Sequence, residues 1–189
     1  MIGSPTEPAA LAVRSCLVLG GARSGKSAHA QALAEGSGLS PVYLATADIW
    51  DAEMESRVAL HRAARDGRWR TVEEPLALSA ALGREAVPGS LVVVDCLTLW
   101  LTNLMLGGHD IEKAVQGLAA CLGNLPAPVI LVSNEVGGGI VPDNRLGREF
   151  RDAQGRLNQS IAQVCDTVVL VTAGQPLMIK PAVTPRLVF

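Results

Sequence analysis

The chain has 189 residues, 49% of them apolar, and a formal net charge of −2. That length and apolar share suffice for one domain with a substantial core, and the missing basic excess argues against a nucleic-acid partner. The longest apolar runs, such as Leu91 to Val94, are of strand length, far short of the roughly 20 residues a membrane span needs.

Residues 1–15 lack the charged start and long apolar stretch of a signal peptide and read as a loose polar leader. "CLVLG" then predicts a buried strand, and Lys26 to Glu35 a helix. Between them Gly20, Gly21, Ala22, Arg23, Ser24, Gly25, Lys26 and Ser27 follow the phosphate-loop pattern G-x-x-x-x-G-K-[ST]. Strand before and helix after is the context this motif requires. Its glycines let the backbone wrap an anion, and the helix N-terminus faces the phosphates. Lys26 would reach the terminal phosphates, and the Ser27 hydroxyl could hold Mg²⁺. Arg23 has two readings, charge neutralisation in phosphoryl transfer or a solvated loop residue.

"PVYLAT" (Pro41 to Thr46) reads as a second strand and Ala52 to Arg65 as a helix. "WRTVEE" reads as a short extended segment ended by Pro75, and Leu76 to Glu85 as a helix. "SLVVVDC" is the clearest buried strand. Asp95 at its tip suits a Mg²⁺-linked carboxylate or a helix N-cap. Helices are expected over Leu97 to Leu106 and Ile111 to Leu122, broken by Gly107-Gly108. Next come a strand in "APVILVSNE", a long amphipathic helix over Asn144 to Gln163, a late strand in "DTVVLVTAG" and a short last one in "PLMIKP". Strands without polar interruption belong to a parallel sheet covered on both faces. The expected fold is therefore α/β, of the P-loop NTPase (RecA-like) type, with three layers and one domain over residues 16–189.

The four cysteines form no CxxC pair and none stands at metal-ligand spacing from a histidine. Cys16, Cys96 and Cys165 lie in or beside apolar runs and read as small buried hydrophobes in a reducing, cytoplasmic compartment.

Taken in order, "GGARSGKS", "VYLATAD", "DAEMESRVALHRAARDGRWRTVEEP", "VVVDCLT", "VSNEVGGGIVPDNRLGREFRDAQGRLNQ" and "VVLVTAG" resemble one family. It is the bifunctional adenosylcobinamide kinase / adenosylcobinamide-phosphate guanylyltransferase family of cobalamin biosynthesis. The resemblance runs from about Cys16 to about Lys180. It implies phosphorylation of the aminopropanol hydroxyl of adenosylcobinamide by ATP or GTP. It then implies transfer of GMP from GTP, through a covalent bond to a histidine, giving adenosylcobinamide-GDP and pyrophosphate. The position matching that histidine is His61. Some relatives carry two adjacent histidines there; this chain has Leu60-His61 and keeps the second.

The resemblance further implies nucleotide contacts at Ala45, Thr46 and Ala47, at Arg62, Ala63, Ala64 and Arg65, and at Glu73 and Asp95. Glu73 could accept from the paired N–H donors of guanine. Asn134, Glu135, Asn144 and Arg145, in a Gly-rich segment after a strand tip, are substrate-side candidates or capping residues of a structural turn. A homotrimer with a shared cleft is also implied. Two other functions stay open at this stage: a small-molecule kinase without guanylyl transfer, and a nucleotide-dependent switch without catalysis.

Overall fold

The structure is a computed structural model and describes residues 13–47 and 67–181. The helix expected over Ala52 to Arg65, and with it His61, Arg62, Ala63, Ala64 and Arg65, lies outside the described residues.

Among the described residues seven strands form one sheet. They are β1 (Ser15–Gly20), β2 (Ser40–Ala45), β3 (Arg70–Glu73), β4 (Ser90–Asp95), β5 (Val129–Asn134), β6 (Thr167–Thr172) and β7 (Gln175–Lys180). The helices are α1 (Lys26–Gly36), α2 (Leu78–Glu85), α3 (Leu97–Leu106), α4 (Ile111–Leu122) and α5 (Arg145–Val164). The strand order is β3-β2-β4-β5-β1-β6-β7. All neighbours are parallel except the β6–β7 hairpin at one edge.

Alternation along each strand divides the apolar side chains between two cores. Leu17, Val42, Leu44, Val92, Val94, Val129, Leu131 and Val168 pack with residues of α2, α3, α4 and α5 on one face. Cys16, Val18, Leu91, Val93, Ile130, Val132, Val169 and Val171 pack with Ala30 and Ala34 of α1 on the other. Both parities are apolar because both faces are covered, which gives the expected three layers. Each fully buried Val or Leu contributes about 1.5–3 kcal/mol.

Two elements differ from the sequence reading. Helix α2 starts two residues later than expected, because Glu74 Oε1 accepts from Leu76 N and Ala77 N (3.2 and 2.8 Å). That carboxylate occupies the amides before the helix proper begins. The last strand has the length of "PLMIKP" but starts one residue earlier, at Gln175, and it is antiparallel. Its turn residues Ala173 and Gly174 have φ values of 51° and 75°, the positive pair that a two-residue hairpin connection requires.

The burial expected of three cysteines is met. All four cysteines are free, and Cys16, Cys96 and Cys165 are buried.

Candidate nucleotide and acceptor site

In a parallel sheet every strand delivers its last residue to the same edge. Here that edge carries Gly20, Ala45, Glu73, Asp95 and Asn134, in the registers Gly20↔Asn134, Ala45↔Asp95 and Ala45↔Glu73. Five predicted site positions, drawn from five strands, thus gather at one edge, with Gly20 and Asn134 two residues beyond the level of Asp95, which pairs with Val132.

The loop from Gly20 to Ser27 is shaped by two left-handed residues, Arg23 (φ 56°) and Gly25 (φ 97°). Helix α1 starts directly after Gly25 with no side-chain cap, so its first amides face outward as an anion site does. The loop is braced from two sides. Glu135 N donates to Gly20 O at 3.0 Å, and Gly174 N to Ser24 O at 2.8 Å. A Cβ on Gly25 would lie 3.1 Å from Gly174 Cα, and one on Gly20 would lie 2.6 Å from Val171 O. Backbone therefore passes where side chains would stand. Lys26 Nζ donates to Gly21 O at 3.3 Å, folded back over the loop. Arg23 is exposed.

Asp95 accepts from the Tyr43 hydroxyl at 3.0 Å. The peptide after it, Asp95–Cys96, is cis. Thr46 holds that junction: Thr46 N donates to Asp95 O (3.2 Å), while its hydroxyl donates to Cys96 O (2.7 Å) and accepts from Cys96 N (2.9 Å). Thr46 O accepts from Asn103 Nδ2 at 2.8 Å. Thr46 is fully enclosed, and its hydroxyl and both backbone groups are engaged within the protein. Ala47, beside it, is half-exposed. Burial, helped by the neighbouring Asp95 charge, pushes the Cys96 thiol up to about 11, so it stays a neutral thiol beside the loop.

Glu73 is exposed at the tip of β3. Asn134 and Glu135 stand directly beside the loop. Glu135 is exposed, and its carboxylate accepts from Gly137 N at 2.5 Å. Asn144 and Arg145 stand at the far end of the Gly-rich segment. Asn144 is the N-cap of α5, accepting from Gly147 N at 2.7 Å, so the capping reading of that residue holds. It also lines an apolar groove of about 360 Å³ with Thr102, Leu106, Leu146 and Phe150. Arg145 is exposed and pairs with Glu149 at 2.6 Å, and that bond raises its pKa.

Sequence reasoning missed the residues that hold these positions. They are Tyr43 against Asp95, Asn103 against Thr46, the Ala173-Gly174 turn against the loop, and a buried polar group of Thr98, Ser133, Gln154 and Asn158 behind Asn134. Only Gln154 and Asn158 carried a signal, a pair of amides four residues apart on one face of a helix.

Sheet, loop and strand-tip carboxylate together define a P-loop nucleotide-binding α/β protein. The fold is shared with the ATPase of a bacterial type III secretion system, at a TM-score of 0.53 and 12% identity over 84% of this chain and 51% of that one. The chain spans about half of that ATPase.

More specifically, the chain belongs to the cobinamide kinase / cobinamide phosphate guanyltransferase family, whose model matches residues 16–179. It is 51% identical over 166 residues to the bifunctional adenosylcobalamin biosynthesis protein CobP of Pseudomonas aeruginosa, covering 87% of this chain and 96% of that protein. It is 42% identical over 179 residues to the corresponding CobU proteins of Salmonella typhimurium and Escherichia coli, in each case over 87% of this chain and 98% of the relative. Members of this family are bifunctional transferases, and the kinase and guanylyltransferase activities carry the family's description.

Proposed function

We propose that this chain phosphorylates the aminopropanol hydroxyl of adenosylcobinamide with ATP or GTP and then guanylylates the product from GTP. The observation that carries this reading is the braced phosphate loop, sharing one sheet edge with Asp95 and Asn134, in a chain that matches the family over residues 16–179.

In the first reaction the alcohol oxygen forms a bond to the γ-phosphorus and the bond to the β,γ-bridging oxygen breaks. The electron pair leaves with the nucleoside diphosphate, and the alcohol proton passes by way of a phosphoryl oxygen to water. The loop amides and Lys26 hold the phosphates and take up charge as it develops. In the second reaction a ring nitrogen of His61 attacks the α-phosphorus of GTP and pyrophosphate leaves. The phosphate oxygen of adenosylcobinamide phosphate then displaces the imidazole, giving adenosylcobinamide-GDP. Neutral imidazole is abundant at pH 7, and the covalent step divides one hard displacement into two.

Mg²⁺ belongs to this proposal. Ser27 and Asp95 offer the hard oxygen donors it takes, and among the described residues no group of three His, Cys, Asp or Glu forms a protein cage. That fits an ion bound largely through the nucleotide's own phosphates. Bound with the nucleotide, it neutralises phosphate charge.

The test uses GTP labelled at the α-phosphate. Label should stay on the denatured protein, stable to alkali and released by acid, and His61→Ala should abolish it. Phosphorylation of adenosylcobinamide without any adduct would reduce the protein to a plain kinase. An adduct that survives in His61→Ala would remove the assigned nucleophile.

A further inference from the structure

Behind the tip of β5 the core is polar where the rest of it is aliphatic. Ser133 and Gln154 are 0% exposed, Asn158 5% and Thr98 8%. They form one connected group, in which Gln154 Oε1 has no partner among the described residues. Ser133 Oγ donates to Asn158 Oδ1 (2.7 Å), and Gln154 Nε2 donates to both Ser133 Oγ and Asn158 Oδ1 (3.0 Å each). With Oδ1 so held, Asn158 Nδ2 points at Asn134 and donates to its carbonyl at 3.0 Å. From the other side Asn134 N donates to Thr98 Oγ1 at 2.8 Å. The next amide, Glu135 N, donates to Gly20 O. Asn134 is thereby gripped by α3 and α5, and its neighbour Glu135 by the start of the phosphate loop. A buried polar group of this kind is costly unless satisfied, and leucines would fill the space at less risk. Its effect is to fix the backbone of Asn134.

The side chain of Asn134 contrasts with its backbone. Its Oδ1 is buried and has no hydrogen-bond partner among the described residues. Ser24 Oγ, in the same state, lies against Gly20, 2.4 Å from where a Cβ on that glycine would fall. Gly20 is the register partner of Asn134. Of the four buried side-chain atoms without a partner among the described residues, which also include Gln31 Nε2 and Gln154 Oε1, these two stand at the mouth of the phosphate loop, where a ligand can pair them; a buried acceptor left unpaired costs about 1–3 kcal/mol. A carboxamide oxygen is an acceptor only. Ionised phosphate oxygens are acceptors too, so they do not suit it. An alcohol O–H does.

We propose that Asn134 Oδ1 accepts the hydrogen bond of the acceptor alcohol in the kinase reaction, and that Thr98 and Asn158 are positioning residues that hold Asn134 for it. This rests on the kinase half of the function proposed above. Asn134 takes no proton. It holds the alcohol so that the oxygen lone pair faces the γ-phosphorus, and misplacement of a reacting group by about 1 Å can cost on the order of 100-fold in rate.

The experiment compares full-length wild type with Asn134→Ala, Thr98→Val and Thr98→Ser. It records phosphoryl transfer to adenosylcobinamide, thermal midpoints, and the binding of a fluorescent non-hydrolysable GTP analogue and of GDP. The expected results for Asn134→Ala are a kcat lower by about 100-fold and affinities for both nucleotides within about twofold of wild type. Thr98→Val, which keeps the shape and loses the hydroxyl, should lower kcat by about tenfold without raising the nucleotide KM, and Thr98→Ser should restore it. A purely structural role would lower the thermal midpoint of Thr98→Val and leave kcat per folded molecule unchanged, which would overturn the proposal. So would an Asn134→Ala protein that keeps wild-type kcat, or one that loses the triphosphate analogue while holding GDP, since Asn134 would then read the γ-phosphate. Wild type that transfers no phosphoryl group to adenosylcobinamide overturns the function proposed above and this inference with it. Wild-type transfer with an indifferent Asn134→Ala overturns the inference alone.

Discussion

At the scale of single residues, the phosphate loop was legible because its spacing encodes its geometry. Gly25 illustrates why. Its φ of 97° lies where a side chain costs roughly 1–2 kcal/mol, and Gly174 Cα stands 3.1 Å from where a Cβ would be. Gly25→Ala should therefore distort the loop rather than unfold the domain. The expectation is GTP binding weakened at least tenfold, read by titration with a fluorescent analogue, with a thermal midpoint only a few degrees lower. Undiminished affinity would mean that the loop adapts and that its left-handed turn is not needed. The surroundings of the loop were not legible. Nothing in "VTAG" announces that Gly174 N will bond Ser24 O, and Thr46 reads as well as a ligand contact as it does as the clamp on Cys96. Both facts depend on which strands are neighbours, and contacts between residues 150 (Ser24 and Gly174) and 50 (Thr46 and Cys96) apart in sequence leave no local pattern.

At the scale of elements, apolar runs and helical spacing located the described strands and helices to within about two residues. At the start of α2 a side chain moved the boundary, that of Glu74. Helix α5 is the instructive case. Its polar outer face and long span were visible, and Asn144 was placed at its start. Its inner face hides Gln154 and Asn158, which a reading based on hydrophobic periodicity assigns to solvent. Its other end is closed from far away. Lys180 of β7 sends Nζ to the carbonyls of Ala162, Gln163 and Cys165 (3.0, 2.9 and 2.5 Å). An ammonium there satisfies carbonyls the helix leaves open and meets the negative end of its dipole. Lys180→Met keeps the length and removes the donors. It should lower stability by about 1–2 kcal/mol, seen as a lower urea midpoint at unchanged slope. An unchanged midpoint would show that water replaces the ammonium at no cost.

At the scale of the whole molecule, the α/β class and the three layers followed from strands that are apolar at both parities. The strand order did not, because burial tells which faces are covered and not which strand lies beside which. The insertion of β5 between β1 and β4 puts Asn134 next to the loop and separates the loop from Asp95 by one strand. The same two-sided burial governs the cysteines, one or more in each core. Burial pushes the Cys16 and Cys96 thiols up to about 11 and Cys165 to about 12, the last also through its neighbour Cys16. A raised folded-state value means that the folded protein keeps protons which the unfolded chain gives up near its ordinary thiol pKa of about 8.5. The stability tied to these thiols is thus complete below about pH 8.5 and is lost as pH rises toward 11–12, since over that interval the unfolded chain binds fewer protons than the native one. The urea midpoint should fall between pH 8 and pH 10.5, and should fall less in Cys165→Ala, where one of the three thiols is gone. Alkylation by iodoacetamide at pH 8 should follow the same order in the native protein. Half-buried Cys121, whose thiol is also raised by burial, should react first, and Cys16, Cys96 and Cys165 only as the protein opens. Rapid labelling of Cys16, Cys96 and Cys165 in the native state would contradict the two-sided core, because each of the three is buried in one of its halves.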